Sequence, residues 1–357
     1  MKILSVVGAR PQFIKTSLLS RKLREDHDEH IIHTGQHYDH RLSQTFFEEL
    51  NIPSPSFNLK VGSGTHGYQT AEMLKKLEAL FVEQEPDLVI IYGDTNSTLA
   101  AALAASKLHI PIAHIEAGMR NFDRKKPEEI NRILAGHAAN YHFAPTKTAV
   151  QNLNNEGIKD NIWLVGDTQF DVLLKYKGIA EEKSNITEEL ALEKGGYYIL
   201  TIHKSKNTDS ARNLEDIIKT VSKVDFPIIF PVHPRTRKCI ENYGLMHYLE
   251  GSKIRLIEPQ GFYNFTKLLA NSKKIITDSG GVQKEAYAYK VPCITMRKTE
   301  WVETVEEGWN IIADIHDEPS FLGTINNFEP QHPQKKFLGE GDTYLKITQI
   351  INNGFSE

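Results

Sequence analysis

The sequence predicts an α/β protein of two domains, each with a parallel sheet covered by helices on both faces. Three observations carry this expectation. Short apolar runs such as Leu88–Tyr92 and Ile228–Pro231 alternate with amphipathic stretches such as Gln69–Glu83, which is the signature of repeated βαβ units. Several of the runs are predominantly apolar, of the kind that strands buried on both faces show. They fall into two sets separated by a polar stretch, Lys175–Lys194.

Taken in order, the strands expected in the first set are Ile3–Val7, His30–His33, Leu88–Tyr92, Ile112–Ile115, Tyr141–Phe143 and Ile162–Val165, with helices at Gln69–Glu83 and Ser97–Ser106. The second set is Tyr197–Ile202, Ile228–Pro231, Arg255–Ile257, Lys274–Thr277 and Cys293–Met296, and Thr343–Asn353 reads as a last helix. The expected division is 1–168, 169–342 and a C-terminal helix, 343–357, packing back on the first domain. Two domains with separate cores make the cleft between them the default ligand site.

Composition narrows the function. The chain has 357 residues, enough for two domains of ordinary size. A net charge of −4 argues against a nucleic-acid binder, which is usually basic overall. Two cysteines, Cys239 and Cys293, make no disulfide framework and fit a reducing, cytoplasmic setting. The apolar N-terminal run is cut short by Arg10 and Pro11, too early for a secretory signal. No run nears the roughly 18 apolar residues of a membrane helix, so no membrane insertion is expected.

The stretch Ile110–Arg132 organises the functional reading. Its apolar run stops on Glu116, a carboxylate at the rim where parallel sheets bind ligands. Pro127 opens a helix whose first turn holds Glu128 and Glu129. Glu128 and Arg132, four apart, are expected to share a face, with Ile130, Ile133 and Leu134 on the buried side. Such a set suits proton transfer on an anionic substrate, although an ordinary helix pair and a capping carboxylate would look the same.

Other polar residues fall at strand ends. Gly8 closes the first strand, with Arg10 and Lys15 just beyond, and this is not a dinucleotide fingerprint. Asp94 follows the strand Leu88–Tyr92, and Thr95 or Asn96 is available to cap the next helix in its place. His203 and His233 end two strands of the second set. Asp278-Ser279-Gly280-Gly281 precedes a helix, so bare backbone N–H groups and a hydroxyl form a phosphate cradle, with Glu285 one turn on to meet a ribose. His37-Tyr38-Asp39-His40 has ligand-type side chains, yet no metal motif accompanies it, and no metal is expected.

Arg10-Pro-Gln, Gly93-Asp94-Thr-Asn-Ser-Thr, His114-Ile-Glu116-Ala-Gly, Pro127-Glu128-Glu129-Ile-Asn-Arg132 and Asp278-Ser-Gly-Gly-Val-Gln-Lys-Glu285-Ala, in this order, resemble the non-hydrolysing UDP-N-acetylglucosamine 2-epimerase family. The resemblance implies a GT-B fold, two Rossmann-like doubly wound domains facing a cleft. It also implies a cytoplasmic homodimer, a UDP-sugar substrate, and no metal or redox cofactor. It makes Asp94, Glu116 and Glu128 catalytic carboxylates, with His203 at the same centre. Arg10, Lys15, Arg132 and His233 become substrate contacts, Phe262 and Phe265 lie where uracil is held, and Ser279, Gly280, Gly281 and Glu285 take the UDP. The implied reaction eliminates UDP to a 2-acetamidoglucal and adds it back with inversion at C2, for which bases are needed on both faces of the ring. Crowded carboxylates are expected to raise the pKa of at least one of them.

The chain departs from the family pattern at His203-Lys204-Ser205-Lys206-Asn207, where His-Arg-x-Glu-Asn is usual, and at Gln12-Phe13 and Gln36-His37-Tyr38-Asp39. The GARPQFIK start and Thr299-Glu300-Trp301-Val302-Glu303 look more like the branch acting on UDP-2,3-diacetamido-2,3-dideoxyglucuronate. Lys204 or Lys206 would suit that sugar's extra carboxylate. A hydrolysing 2-epimerase, a GT-B glycosyltransferase and a non-catalytic UDP-sugar binding protein are the remaining alternatives.

Overall fold

The structure, a computed structural model, describes residues 1–36, 50–296, 299 and 301–354, with Arg10 described in its backbone only. It forms two compact units, Met1–Val172 with Lys336–Glu357, and Leu173–Lys335.

In the first unit the strands are β1 (Lys2–Val7), β2 (Asp28–His33), β3 (Phe57–Asn58), β4 (Leu88–Tyr92), β5 (Ile112–Ile115), β6 (Tyr141–Ala144) and β7 (Ile162–Leu164). They make a seven-stranded sheet in the order β3-β2-β1-β4-β5-β6-β7, with parallel pairing throughout the described residues. The order reverses between β1 and β4. Connections leave these two strands in opposite directions, which opens a crevice at their carboxyl ends, where doubly wound sheets bind ligands. The core on one face joins β1 and β4 to the helices His66–Gln84 and Asn96–Lys107 through Met73, Leu77, Phe81 and a run of alanines, Ala100 to Ala105, broken only by Leu103. The small alanine side chains let the two helices approach closely.

The C-terminal helix Thr343–Asn352 belongs to this unit and packs on the helix Arg10–Leu23. Its start is fixed where the Tyr344 N–H donates to the Asp171 carboxylate at 2.9 Å. The Asp167 N–H donates to the Leu338 carbonyl at 2.9 Å. Gly166 (φ +102°) is required here, because a Cβ would lie 2.6 Å from Thr343 Oγ1.

In the second unit β8 (Tyr198–Thr201), β9 (Ile228–Pro231), β10 (Ile254–Ile257), β11 (Lys274–Thr277), β12 (Cys293–Thr295) and β13 (Asn310–Ile312) form a six-stranded parallel sheet, ordered β10-β9-β8-β11-β12-β13. Its order reverses between β8 and β11. The helix Ala211–Val221 buries Leu214, Ile217, Ile218 and Val221 against Ile228, Phe230 and Phe321. Truncating one such aliphatic side chain to alanine costs about 2–5 kcal/mol.

Two strands escape the sequence pattern. β3 is two residues long, and β13 opens on a buried asparagine, Asn310, so neither reads as an apolar run. The polar stretch Lys175–Lys194 is not an open separator. The helix Thr168–Lys183 runs into it, burying Leu173, Tyr176 and Ala180 and turning Lys175, Glu181, Glu182 and Lys183 outward, and the chain passes between units inside that helix.

Candidate functional site

The first unit gathers two carboxylates and two cations at its switch point. Gly93 (φ +62°) and Asp94 follow β4, and Glu116 follows β5 with φ +67°. A left-handed conformation is uncommon for a non-glycine residue, and such strain concentrates at functional positions. Lys15, only 7% exposed on the helix that follows β1, forms an ion pair with Glu116. Arg132, from the helix Pro127–Ala138, places Nη2 2.6 Å from Asp94 Oδ2. Gly93 makes room for the first pair, since a Cβ would sit 3.1 Å from Glu116 Oε2 and 3.2 Å from Lys15 Nζ. Each carboxylate thus faces a cation.

Asp94 is free of the capping role its position suggests. Thr95 caps the helix Asn96–Lys107, its hydroxyl accepting from the Thr98 N–H. Three further side chains fix the turn that carries Asp94. Asn131 Nδ2 donates to the Asp94 carbonyl at 2.9 Å. His114 Nε2 donates to the Gly93 carbonyl at 2.8 Å. Burial lowers the His114 pKa to about 4, against the opposing effect of that hydrogen bond, so the ring is neutral and carries its proton on Nε2. Gln12 accepts the Gly8 and Ala9 N–H groups at 2.8 and 3.0 Å and donates to the Tyr92 carbonyl at 2.8 Å, tying the turn after β1 to the end of β4.

The helix Pro127–Ala138 differs from its expected form. Its buried residues are Glu129, Asn131, Ala135 and Gly136, while Leu134 is exposed. The face that meets the helix Asn96–Lys107 is small and hydrogen-bonding instead of aliphatic. Arg132 pairs with Glu129, Nη1 to Oε2 at 3.0 Å, where the sequence spacing pointed to Glu128. Glu128 is exposed on the first turn, and its side chain makes no hydrogen bond or ion pair among the described residues. The structure therefore brings Lys15, Asp94, Glu116 and Arg132 together, with Glu128 at the exposed start of Arg132's own helix.

In the second unit the residues after β8 and β11 meet. Asp278, fully buried, accepts from the N–H of His203 at 3.1 Å, the N–H of Lys204 at 3.1 Å and Asn207 Nδ2 at 3.0 Å. His203 Nδ1 lies 3.5 Å from Asp278 Oδ1, with the ring largely exposed. The Ser279 hydroxyl caps the helix Gly280–Tyr289, accepting the Val282 N–H at 3.4 Å. A Cβ on Gly281 would meet only Ser279 Oγ, at 3.8 Å, so the described chain leaves room beside Gly281 in the first turn. Glu285 lies half-buried one turn on. Phe262 is buried beside Tyr176 and Tyr263, and Phe265 is half-buried. His233 is exposed and caps the helix Pro234–Asn242.

The Arg10 side chain, His37–His40 and Glu300 lie outside the described residues. Among the described residues no group of three or more His, Cys, Asp or Glu is placed to hold a metal, and no helix is long and apolar enough to cross a membrane. The sequence reading named Gln12, His114, Glu129 and Asp278 but gave none of them a role of its own. For Asp278 the signal was present, a carboxylate at a strand end as with Asp94; the other three show their role only through their partners.

A family model described as UDP-N-acetylglucosamine 2-epimerase matches residues 21–352. The chain is 51% identical over 357 residues to a UDP-N-acetylglucosamine 2-epimerase homolog of Methanococcus maripaludis, covering 99% of this chain and 100% of that one. It is 44% identical over 322 residues to the UDP-2,3-diacetamido-2,3-dideoxy-D-glucuronate 2-epimerase of Pseudomonas aeruginosa, covering 88% of each. Among solved structures, the Methanocaldococcus jannaschii UDP-GlcNAc 2-epimerase in complex with UDP-GlcNAc and UDP superposes with a TM-score of 0.90 at 42% identity, covering 99% of this chain and 100% of that one. Strand-end carboxylates matched with cations, a glycine-bearing helix start and this breadth of similarity agree: the chain belongs to the UDP-N-acetylglucosamine 2-epimerase family.

Proposed function

We propose that this protein is a non-hydrolysing UDP-N-acetylglucosamine 2-epimerase, an isomerase inverting C2 of a UDP-2-acetamido sugar. The observation that carries the reading is the pairing of Asp94 with Arg132 and of Glu116 with Lys15 at one switch point. An anionic diphosphate that recruits the two cations leaves two carboxylates uncompensated, ready to act as bases. A carboxylate alone is too weak a base for a sugar C2–H. When the C1–O bond breaks in the same step, its electron pair leaves with UDP. The C2–H pair then forms the C1=C2 bond of a 2-acetamidoglucal, and the carboxylate keeps the proton. Return of UDP to C1, with a proton delivered to the opposite face of C2, completes the inversion. Asp94, Glu116 and Glu128 supply the carboxylates, and Lys15, Arg132 and Arg10 offset the charge of the departing diphosphate. In the second unit the amides at Gly280 and Gly281 take the UDP phosphates, Glu285 takes the ribose, and the His203 loop, braced by Asp278, lies beside them. His233, Phe262 and Phe265 complete the nucleotide contacts, and the chain acts as a cytoplasmic homodimer.

A second substrate, UDP-2,3-diacetamido-2,3-dideoxyglucuronate, is favoured by one observation: Lys204 and Lys206 are exposed on the loop that Asp278 braces, where they can meet an extra carboxylate. One assay separates the readings. Each UDP-sugar is incubated with the protein in D2O, and C2 is followed by NMR. Deuterium at C2 with UDP still attached, faster for the N-acetylglucosamine compound, is the expected result. Faster turnover of the diacetamido uronate would move the substrate to the second reading. Release of free sugar, or no exchange with either compound, would overturn the epimerase.

A further inference from the structure

We propose that Glu129 is a positioning residue of this site, setting Arg132, and through it Asp94, while pinning the loop at Asn121 and Phe122. The inference rests on the epimerase reading above. Glu129 is 1% exposed, and its side-chain hydrogen bonds among the described residues go to Arg132 and to this loop. Its Oε2 accepts from Arg132 Nη1 at 3.0 Å and from the Asn121 N–H at 3.0 Å, and its Oε1 accepts from the Phe122 N–H at 2.8 Å. A buried carboxylate is tolerated only when its charge is paired and its lone pairs are filled, and these three donors meet that condition.

The guanidinium is a rigid plane, so holding Nη1 fixes the direction of Nη2. Nη2 is the atom 2.6 Å from Asp94 Oδ2. The angle at which Arg132 meets Asp94 is therefore set by Glu129 on the other side. The same carboxylate holds the Phe122 backbone, which is left-handed (φ +59°) although the ring is 76% exposed and gains nothing from packing. Movement of that loop and movement of Arg132 are thus coupled through one side chain. Two adjacent acids on a helix point about 100° apart. Pro127-Glu128-Glu129 accordingly sends one carboxylate outward and one inward, and the inward one has this role.

The test is a double-mutant cycle on the full chain with Glu129→Gln, Arg132→Met and the pair, read as kcat and KM for UDP-N-acetylglucosamine and as UDP affinity by calorimetry. Glu129→Gln keeps the size and removes the charge. Its kcat is expected to fall about 10- to 100-fold, the loss that a misplacement near 1 Å produces, with a smaller fall in UDP affinity, because Arg132 keeps its charge. Because Glu129 acts through Arg132, the double variant is expected to be no slower than Arg132→Met alone. Wild-type kcat in Glu129→Gln, or losses that multiply, would overturn the proposal. Should Glu129→Gln not fold, Glu129→Asp takes its place, since a carboxylate withdrawn by one methylene predicts the same non-additivity. If the wild type turns over neither UDP-sugar, the functional reading fails instead. The positional claim then stands or falls on NMR of the Arg132 side chain, whose Nε–H signal is expected to be sharp in wild type and broadened in Glu129→Gln.

Discussion

Replacing Gly93 by alanine perturbs the turn beside the Lys15–Glu116 pair, and its two consequences can be measured apart. The first is backbone strain. Gly93 has φ +62°, a region where a Cβ costs about 1–2 kcal/mol. For a unit of this size that corresponds to a melting temperature lower by about 2–8 °C. The second is contact. The new Cβ would stand 3.1 Å from Glu116 Oε2 and 3.2 Å from Lys15 Nζ, tighter than ordinary van der Waals contact, so the ion pair must move by a few tenths of an ångström. Both groups are the ends of side chains and can give way, so the contact is expected to appear in turnover more than in stability. A loss of about 10- to 100-fold in kcat is expected. Gly157→Ala is the control: φ is +86°, and its Cβ would meet nothing within 4 Å. It should cost similar stability and leave kcat untouched. The assays are thermal unfolding and the rate of C2 exchange in D2O. If Gly93→Ala keeps the wild-type rate while losing stability like Gly157→Ala, the Lys15–Glu116 pair does not act in the reaction, and the reasoning about this turn is wrong.

Asp94→Asn preserves shape but not charge; kcat is expected to fall about 10²- to 10⁴-fold with UDP affinity intact, and retained exchange at C2 would remove Asp94 from the chemistry. Glu285→Ala is expected to weaken UDP binding about 10- to 100-fold by calorimetry, the worth of one charged hydrogen bond, while wild-type affinity would place the ribose elsewhere. Asp171 gives a pH-dependent prediction. Burial raises its carboxyl to about 7, opposed by the Tyr344 N–H and reinforced by Asp167 and Asp342. The unfolded chain releases this proton near pH 4 and the folded chain near pH 7, so stability from this group is fully present below pH 4 and is lost as pH rises to about 7. Asp171→Asn, which keeps an oxygen for the Tyr344 N–H, should stabilise the protein by about 2–4 kcal/mol at pH 8 and by much less at pH 5 in urea unfolding. An equal gain at both pH values would show that the carboxyl is ionised throughout.

The fold was legible wherever hydrophobic periodicity was long enough to read. The strands Leu88–Tyr92 and Ile228–Pro231 coincide with apolar runs because strands buried on both faces have no polar side to interrupt them. The short strands β3 and β13 left no such run. At the site, strand-end carboxylates were visible in the order of residues, since the end of an apolar run marks the rim of the sheet. Their partners were not. Spacing paired Arg132 with Glu128, four positions away, and the structure pairs it with Glu129, three away, because both positions lie within reach on a helix.

What the sequence by itself determined is the alternation of elements, the two parallel sheets and the residues at their carboxyl ends, all local properties of the chain. Tertiary structure decided which side chains meet. Lys15 and Glu116 are separated by 101 positions and His203 and Asp278 by 75, and the strand orders that bring them together rest on how whole sheets pack. The same packing turned Glu129 inward and Glu128 outward, because the small Ala135 and Gly136 face carries its neighbours Glu129 and Asn131 into the interior, where each finds polar partners.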